Sequence, residues 1–373
     1  MKKRVLLFNI IIFGIVSLLI DLSSETIKPI LPAFLISLGA SSFVIGLVGG
    51  FMEAIPNLLK VFSGYFSDKI QKYKPFIFSG YGISALFKFF LIFARSWQQA
   101  IIFIAIERCG KGIRDPPRDK MIAEYKERGY GFGIHRTFDT IGAIMGSILA
   151  FILIIIGISL RKIILIASAI AFFSLIPLFF VKEKRKKRIN IKLNKVKINK
   201  KLKKFFVVAS IFAISNFSYM FFILNAMKIM KNSLIVPILL YVLFNIFYAS
   251  FSIPFGKLSD KIGRKKVLLI GYLIFSFICL LFAFFNSLFF SIIVFILYGI
   301  SLASIDANQR AYVSDLAGKN KATALGIFYT LIGILAIIAN IIAGFLFEIN
   351  SMFTFLYGFS ISIISFIIFL FIG

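Results

Sequence analysis

The stretch GKLSDKIGRKK at residues 256–266 has an earlier counterpart, GYFSDKI at 64–70, and this pair decides the fold. The two copies begin 192 residues apart. A fainter echo aligns DPPRDKMIAEY (115–125) with DANQRAYVSDL (306–316) at an offset of 191. Two echoes at nearly one offset predict a duplication: an N-terminal half over 1–181, a C-terminal half over 205–373, and the basic run KEKRKKRINIKLNKVKINKKLKK (182–204) joining them. Parallel repeats of this kind build many secondary transporters, which bind substrate near mid-membrane.

The sequence around each copy is close to hydrocarbon. Of the 373 residues 60% are hydrophobic, with a mean hydropathy of +0.97; a soluble domain is about 45–50% apolar. A bilayer crossing takes about 20 mainly apolar residues. Twelve spans fit, at 8–36, 42–65, 75–95, 98–118, 132–157, 161–181, 205–226, 234–256, 265–285, 288–313, 323–347 and 351–371. Cations set the orientation. With the N-terminus inside, the inner segments hold Lys2, Lys3, Arg4, Lys69, Lys72, Lys74, Lys120, Lys126, Arg128, the 182–204 run, Lys257 to Lys266, Lys319 and Lys321. The outer loops keep only Arg95, Arg161, Lys162, Lys228 and Lys231. A multi-pass protein of the cell membrane with both termini cytoplasmic is expected.

The formal charge of +28 superficially suits nucleic acid. The placement of 182–204 between spans six and seven points instead to anionic headgroups, so membrane lipids, and no nucleic acid, are the expected contact. Cys109 and Cys279 are lone thiols without disulfide or metal spacing. There is no phosphate-binding G-x-x-x-x-G-K-[ST] loop. No cofactor or metal is called for. The first span lacks a small-residue cleavage site and reads as a membrane helix, not a removable leader.

The second signature copy, with Gly256, Asp260, Lys261, Gly263, Arg264, Lys265 and Lys266, follows G-x-x-x-D-[KR]-x-G-[RK]-[RK]-[KR]. The first keeps Gly64, Asp68, Lys69 and Lys72 but has Gln71 in place of glycine. The pattern resembles the signature loop of the major facilitator superfamily, and with the span count and linker the resemblance covers essentially the whole chain. It implies an all-α membrane protein with twelve transmembrane helices in two pseudo-symmetric six-helix bundles, working as a monomer by alternating access. It also implies gates in which the cation four residues after the aspartate reaches an acid on the fourth helix of its half: Asp68–Lys72–Glu124 and Asp260–Arg264–Asp315. Topogenic charge with no gating role explains the same residues. The text ERCGKGIRDPPRDKMIAE (107–124), followed by GFGIHRTFDTIGA (131–143), resembles more narrowly a prokaryotic branch with a G-K-G-[IV]-R-x-x-P-R-D signature in span four.

Charges inside the spans carry the functional reading. Lys28, Lys60, Lys88, Arg108, Lys111, Arg114, Arg118, Arg136 and Arg310 lie within spans, as do Asp21, Glu25, Glu53, Glu107, Asp115, Asp119, Asp139 and Asp306. Each costs about 2.5–3.5 kcal/mol at a helix centre, so pairing or water is required. Helical spacing puts Glu107, Lys111, Arg114 and Arg118 on one face of span four, with Arg108, Asp115 and Asp119 beside it. Asp21, Glu25 and Lys28 share a face of span one, Glu53 and Lys60 align in span two, and Arg136 and Asp139 align in span five. Asp306 and Arg310 are placed to pair in span ten. His135, the one histidine, is in reach of Asp139 and reads as a packed hydrogen-bonding residue. In a continuous helix Pro116 and Pro117 would strand the carbonyls of Gly112 and Ile113. A kink or a break near Gly112–Arg114 is expected, with Lys111, Arg114 or water serving the freed carbonyls.

Arg108-x-x-Lys111-Gly112 resembles the R-x-x-Q-G element of proton-coupled superfamily members, lysine replacing glutamine. The resemblance implies a buried arginine that tunes a neighbouring carboxylate; Asp21, Glu25 and Glu53 are the candidate proton carriers, with Arg108 as the tuning cation, and static salt bridging is the competing account. Asn216, Tyr219, Tyr241, Asn245, Asn308, Gln309 and Asn340 are candidates to line the second half's share of a substrate cavity. The expected function is secondary active transport of a small solute, proton-coupled, with efflux favoured over uptake. A transport-inactive sensor or assembly protein on the same fold is the alternative. One histidine and two separated cysteines leave no constellation for an enzyme.

Overall fold

The computed structural model describes residues 3–125, 128–183, 199–231, 233–318 and 321–371. The cations Lys2, Lys126 and Lys319 and positions 184–198 of the basic run lie outside the described residues. All regular secondary structure among the described residues is helical. Among the described residues, eleven helical segments are long and apolar enough to cross a membrane. The twelfth expected span is the continuous helix Trp97–Ala123, which fails that composition test because it carries the charges of span four.

Span one runs Lys3–Ile27, then through a 3-10 turn at Lys28–Ile30 into Leu31–Ser37. Spans two to six follow as Ser42–Ile70, Lys74–Phe90, Trp97–Ala123, Arg128–Ile155 and Leu160–Phe173, the last extended by Leu175–Leu178. Span seven is broken, Lys200–Ser215 then Tyr219–Ile229. Ser218 caps the second piece, and its N–H donates to Asn340 Oδ1 at 2.8 Å. A break inside lipid is tolerated where side chains satisfy the freed backbone. Spans eight to twelve are Ile235–Ile262, Arg264–Phe284, Leu288–Leu316, Lys321–Ile349 and Ser351–Phe371.

The helices form two compact units, one of Met1–Gly39 with Ile55–Leu193, the other of Ala40–Ala54 with Asn194–Gly373. In the first, spans three and four cross so closely that a methyl group on Gly110 would strike the Gly80 carbonyl, and one on Gly80 would sit 2.6 Å from the Gly110 carbonyl. Gly142 and Gly146 of span five likewise lie on the Leu18 and Leu22 carbonyls of span one. Small residues at crossings are how membrane helices gain van der Waals contact, since lipid supplies no hydrophobic drive between them. The second unit packs instead through aromatic rings: Phe212 stacks on Tyr272 at 3.8 Å and Phe222 on Tyr298 at 4.4 Å between centroids.

The duplication is visible in backbone detail. Ser67 Oγ donates to the Gly64 carbonyl at 3.2 Å, and Ser259 Oγ to the Gly256 carbonyl at 2.7 Å. The N–H of Gln71 returns to the Ser67 carbonyl at 2.9 Å, and that of Gly263 to Ser259 at 3.1 Å. Both end a helix in the left-handed region, Gln71 at φ 58° and Gly263 at φ 97°. The Gly80–Gly110 crossing has its own counterpart 191 residues on. Gly271 packs against Ser304 and Ile305, and Ser301 Oγ donates to the Gly271 carbonyl at 3.0 Å.

Candidate functional site

The densest cluster of ionisable side chains is in the first unit and is organised by span four. Its helix starts with Ser96 as N-cap, the hydroxyl accepting from the Gln99 N–H, and continues without interruption through Pro116 and Pro117. Of the kink or break expected near Gly112–Arg114, the break is therefore absent. Part of the reason is a neighbour: Ser63 Oγ of span two donates to the Ile113 carbonyl, the group that Pro117 strips of its amide partner. Lys111 and Arg114 are not needed for that carbonyl.

Glu107, Arg108, Arg114 and Asp115 are all buried. Arg108 Nε sits 2.8 Å from Glu107 Oε2, off the line of a hydrogen bond. The carboxylate nearest Arg108 is thus its own neighbour, not Asp21, Glu25 or Glu53. Arg114 donates to Ser84 Oγ at 2.6 Å and lies 4.4 Å over the Tyr81 ring. Asp115 is shared among three cations: Arg118 at 3.4 Å, Arg114 at 3.8 Å and Lys60 at 3.9 Å. Arg118 also holds Asp119 at 2.9 Å.

Around this helix the other spans contribute acids, cations and hydroxyls. Glu25 and Lys28 of span one form an ion pair. Asp21 has Asp139, Lys111, Glu25 and Lys28 as charge neighbours. Asp139 of span five accepts from the Ser17 hydroxyl and faces His135 Nδ1 at 3.3 Å and Arg136 at 4.0 Å. Lys88 is buried, with Nζ 3.1 Å from Ser23 Oγ and 2.7 Å from Ser24 Oγ. Glu53 stands apart: it lies in the Ala40–Ala54 stretch of the second unit, is exposed, and has Tyr298 as a charge neighbour. The alignment of Glu53 with Lys60 leads to no pairing between them, since Lys60 turns to Asp115.

The two expected gates differ. In the second unit Arg264 bridges Asp260 at 2.6 Å and Asp315 at 3.4 Å, and donates to Ser259 Oγ. In the first, Lys72 is exposed and makes no ion pair among the described residues; Lys120 takes its place, 3.7 Å from Asp68. The left-handed turn at Gln71 directs the next side chain outward. Tyr73 donates its hydroxyl to Asp68 at 3.0 Å. Burial and the Asp68 carboxylate push that hydroxyl above the usual tyrosine range, so it remains a donor. In span ten, Arg310 Nε donates to the Asp306 carbonyl at 3.0 Å, while the Tyr248 hydroxyl donates to the Asp306 carboxylate at 2.9 Å.

The hydroxyls of Ser17, Ser23, Ser24, Ser63 and Ser84, and the Tyr81 ring, escape a reading based on charge alone. The available signal is position: Ser84 and Tyr81 stand four and one residues from Gly80, where span four comes closest.

The family model for the Major Facilitator Superfamily matches residues 13–237 and 205–373. The chain belongs to the major facilitator superfamily. An uncharacterized MFS-type transporter of Methanocaldococcus jannaschii is 49% identical over 383 residues, covering 100% of this chain and 96% of that protein. An uncharacterized protein of Mycobacterium tuberculosis is 33% identical over 138 residues, or 36% of this chain and 34% of its own length. Among solved structures, a mutant form of the nucleoside transporter NupG superposes with a TM-score of 0.82 at 16% identity, covering 98% of this chain and 99% of that one. The human organic anion transporter MFSD10 superposes with a TM-score of 0.73 at 15% identity, over 99% and 100% of the two chains. At those identities the superpositions speak for the fold alone. The superfamily protein is a multi-pass membrane transporter, not an enzyme.

Proposed function

We propose that this superfamily transporter is a proton-coupled secondary active carrier of a small solute, working as a monomer by alternating access between a half at 1–181 and a half at 205–373. In this reading it lies in the cell membrane with both termini and the 182–204 run cytoplasmic, the run resting on anionic lipid. The span-four text supports a place in the prokaryotic branch marked by G-K-G-[IV]-R-x-x-P-R-D.

The observation that carries the coupling is the approach of two carboxylates, Asp21 of span one and Asp139 of span five. Proton uptake by one relieves the repulsion between two acids that share a site away from bulk water. Glu25 is engaged with Lys28, and Glu53 belongs to the second unit. That leaves the Asp21–Asp139 pair as the coupling centre, with His135, Arg136 and Ser17 fixing the Asp139 end. The Asp260–Arg264–Asp315 bridge serves as the gate of the second half, and Asp68 with Lys120, Tyr73 and Glu124 as that of the first.

Proteoliposomes loaded with a pH-sensitive dye test this. A solute selected by thermal shift should move protons across the membrane in the wild type, and Asp21→Asn should abolish proton movement. Solute flux with no accompanying proton movement, unchanged in Asp21→Asn and Asp139→Asn, refutes the coupling.

A further inference from the structure

Lys111 lies near the middle of the Trp97–Ala123 helix, and among the described residues its ammonium makes no ion pair and no hydrogen bond. Its charge neighbours are three acids, Asp21, Glu107 and Asp115, and three cations, Arg108, Lys28 and Lys60. Asp115 is already divided among Arg118, Arg114 and Lys60 at 3.4–3.9 Å. Glu25 is engaged by Lys28, and Glu107 by Arg108 with Lys88 as a further charge neighbour, while Asp21 has a second acid, Asp139, beside it. Two guanidinium nitrogens, Nε of Arg108 and Nε of Arg114, are buried with no hydrogen-bond acceptor.

Stripped, unpartnered donors of one sign at mid-span are costly unless something of opposite sign arrives. Something can arrive: the Lys28 and Lys60 side chains keep 25% and 24% of their surface exposed, and Lys111 is only half-buried. A guanidinium and ammonium set with free donors matches a planar carboxylate or a phosphate. A neutral polyol would leave the excess charge uncompensated.

We propose that the cations around Lys111, namely Arg108, Lys60 and Lys28, bind an anionic group, a carboxylate or phosphate, on the transported solute. This rests on the transporter reading above and names its substrate class. Lys111 supplies an ammonium that no acid among the described residues holds in an ion pair. Arg108 supplies a donor left idle by its off-line contact with Glu107.

The test uses the purified full chain in a neutral detergent and matched pairs of probes: succinate against succinamide, benzoate against benzamide, adenosine monophosphate against adenosine. Ligand binding raises the unfolding midpoint by mass action. At least one anion should raise it for wild type and Lys111→Arg, while its neutral partner does not. Lys111→Gln should weaken the response about ten- to a hundredfold, the change expected for one charge-assisted hydrogen bond. Lys60→Gln, which leaves Asp115 with two arginines, gives a second reading should Lys111→Gln fail to fold. Neutral members that act as strongly as their anions overturn the proposal, as do anion responses kept in both variants or absent from the whole panel. A Lys111-dependent shift produced by phosphatidylglycerol and by no soluble anion assigns the cations to a lipid headgroup and overturns the substrate claim. Counterflow in proteoliposomes separates the two readings. Lys111-dependent anion binding without flux sinks transport and keeps the site. Flux of a neutral solute, indifferent to Lys111→Gln, sinks the site and keeps transport.

Discussion

Gly80 and Gly82 stand two residues apart on the same helix, yet alanine should act on them in opposite directions. At Gly82 a new methyl group meets nothing within 4 Å. At Gly80 it would sit 2.6 Å from the Gly110 carbonyl oxygen, 2.7 Å from Arg114 Cβ and 2.9 Å from the Arg114 amide nitrogen. Two of those three atoms are backbone, so a rotamer change cannot absorb the clash, and spans three and four must separate by roughly 0.5–1 Å to restore ordinary contact. Overpacking of this kind costs about 1–3 kcal/mol. Both substitutions gain the helix propensity of alanine over glycine, about 0.8–1 kcal/mol, so the difference between them isolates the clash. Gly82→Ala should be stabilising by up to about 1 kcal/mol. Gly80→Ala should be less stable than Gly82→Ala by about 1–3 kcal/mol. Reversible unfolding in mixed micelles, followed by circular dichroism, reads both. Gly80→Ala should also loosen the 2.6 Å Arg114–Ser84 hydrogen bond, which makes accelerated hydrogen exchange in span four a second readout. Equal stability of the two variants would refute the close crossing.

Three further outcomes follow from single contacts. Ser63→Ala removes the donor to the Ile113 carbonyl and should cost about 0.5–1.5 kcal/mol, a cost that vanishes in a Pro117→Ala background, where the helix supplies its own amide; a double-mutant cycle measures the coupling. Gln71→Gly relieves a left-handed residue that carries a Cβ and should raise stability by about 1 kcal/mol, less what the Gln71 side-chain bond to the Asp68 carbonyl contributes; thermal unfolding of the two proteins side by side reads the difference. Arg264→Ala breaks partly exposed pairs, so stability should change by less than about 1 kcal/mol, while the rate of solute flux falls; unchanged flux would remove the gate assignment.

Sequence reading placed all twelve spans, span four at 98–118 among them although its charges lower its hydropathy. Window averages fail there because Glu107, Arg108, Arg114 and Asp115 depress them, although the structure compensates each one with a neighbouring ion or hydroxyl. The break expected at the prolines is absent for a related reason. Two prolines do strand carbonyls, but the group that serves one of them is Ser63, fifty residues away, and no local rule names it. Lys72 lost its place at the gate because Gln71 reverses the chain just before it, and Lys120, on another helix, stands nearer Asp68. Glu53 was aligned correctly along its own helix, yet helical phase says nothing of which bundle that end of the helix joins. The serines went unremarked because isolated hydroxyls are common in membrane helices. Only their placement opposite cations and stranded carbonyls singles them out.

The paired turns at Gln71 and Gly263 carry one more consequence. What the duplication handed down to both halves is a backbone path: a helix that ends on a return bond to a serine four residues back, then reverses through positive φ. Glycine follows that path freely, and glutamine follows it with its amide tied to the helix end. The likeness ends there: one residue, Gly263, separates the helices of the second half, and three, Gln71, Lys72 and Tyr73, separate those of the first. Arg264 thus begins a helix and bridges two acids, whereas Lys72, one residue past the same turn, stays in an exposed connection: one position of the repeated pattern meets carboxylates in one half and water in the other.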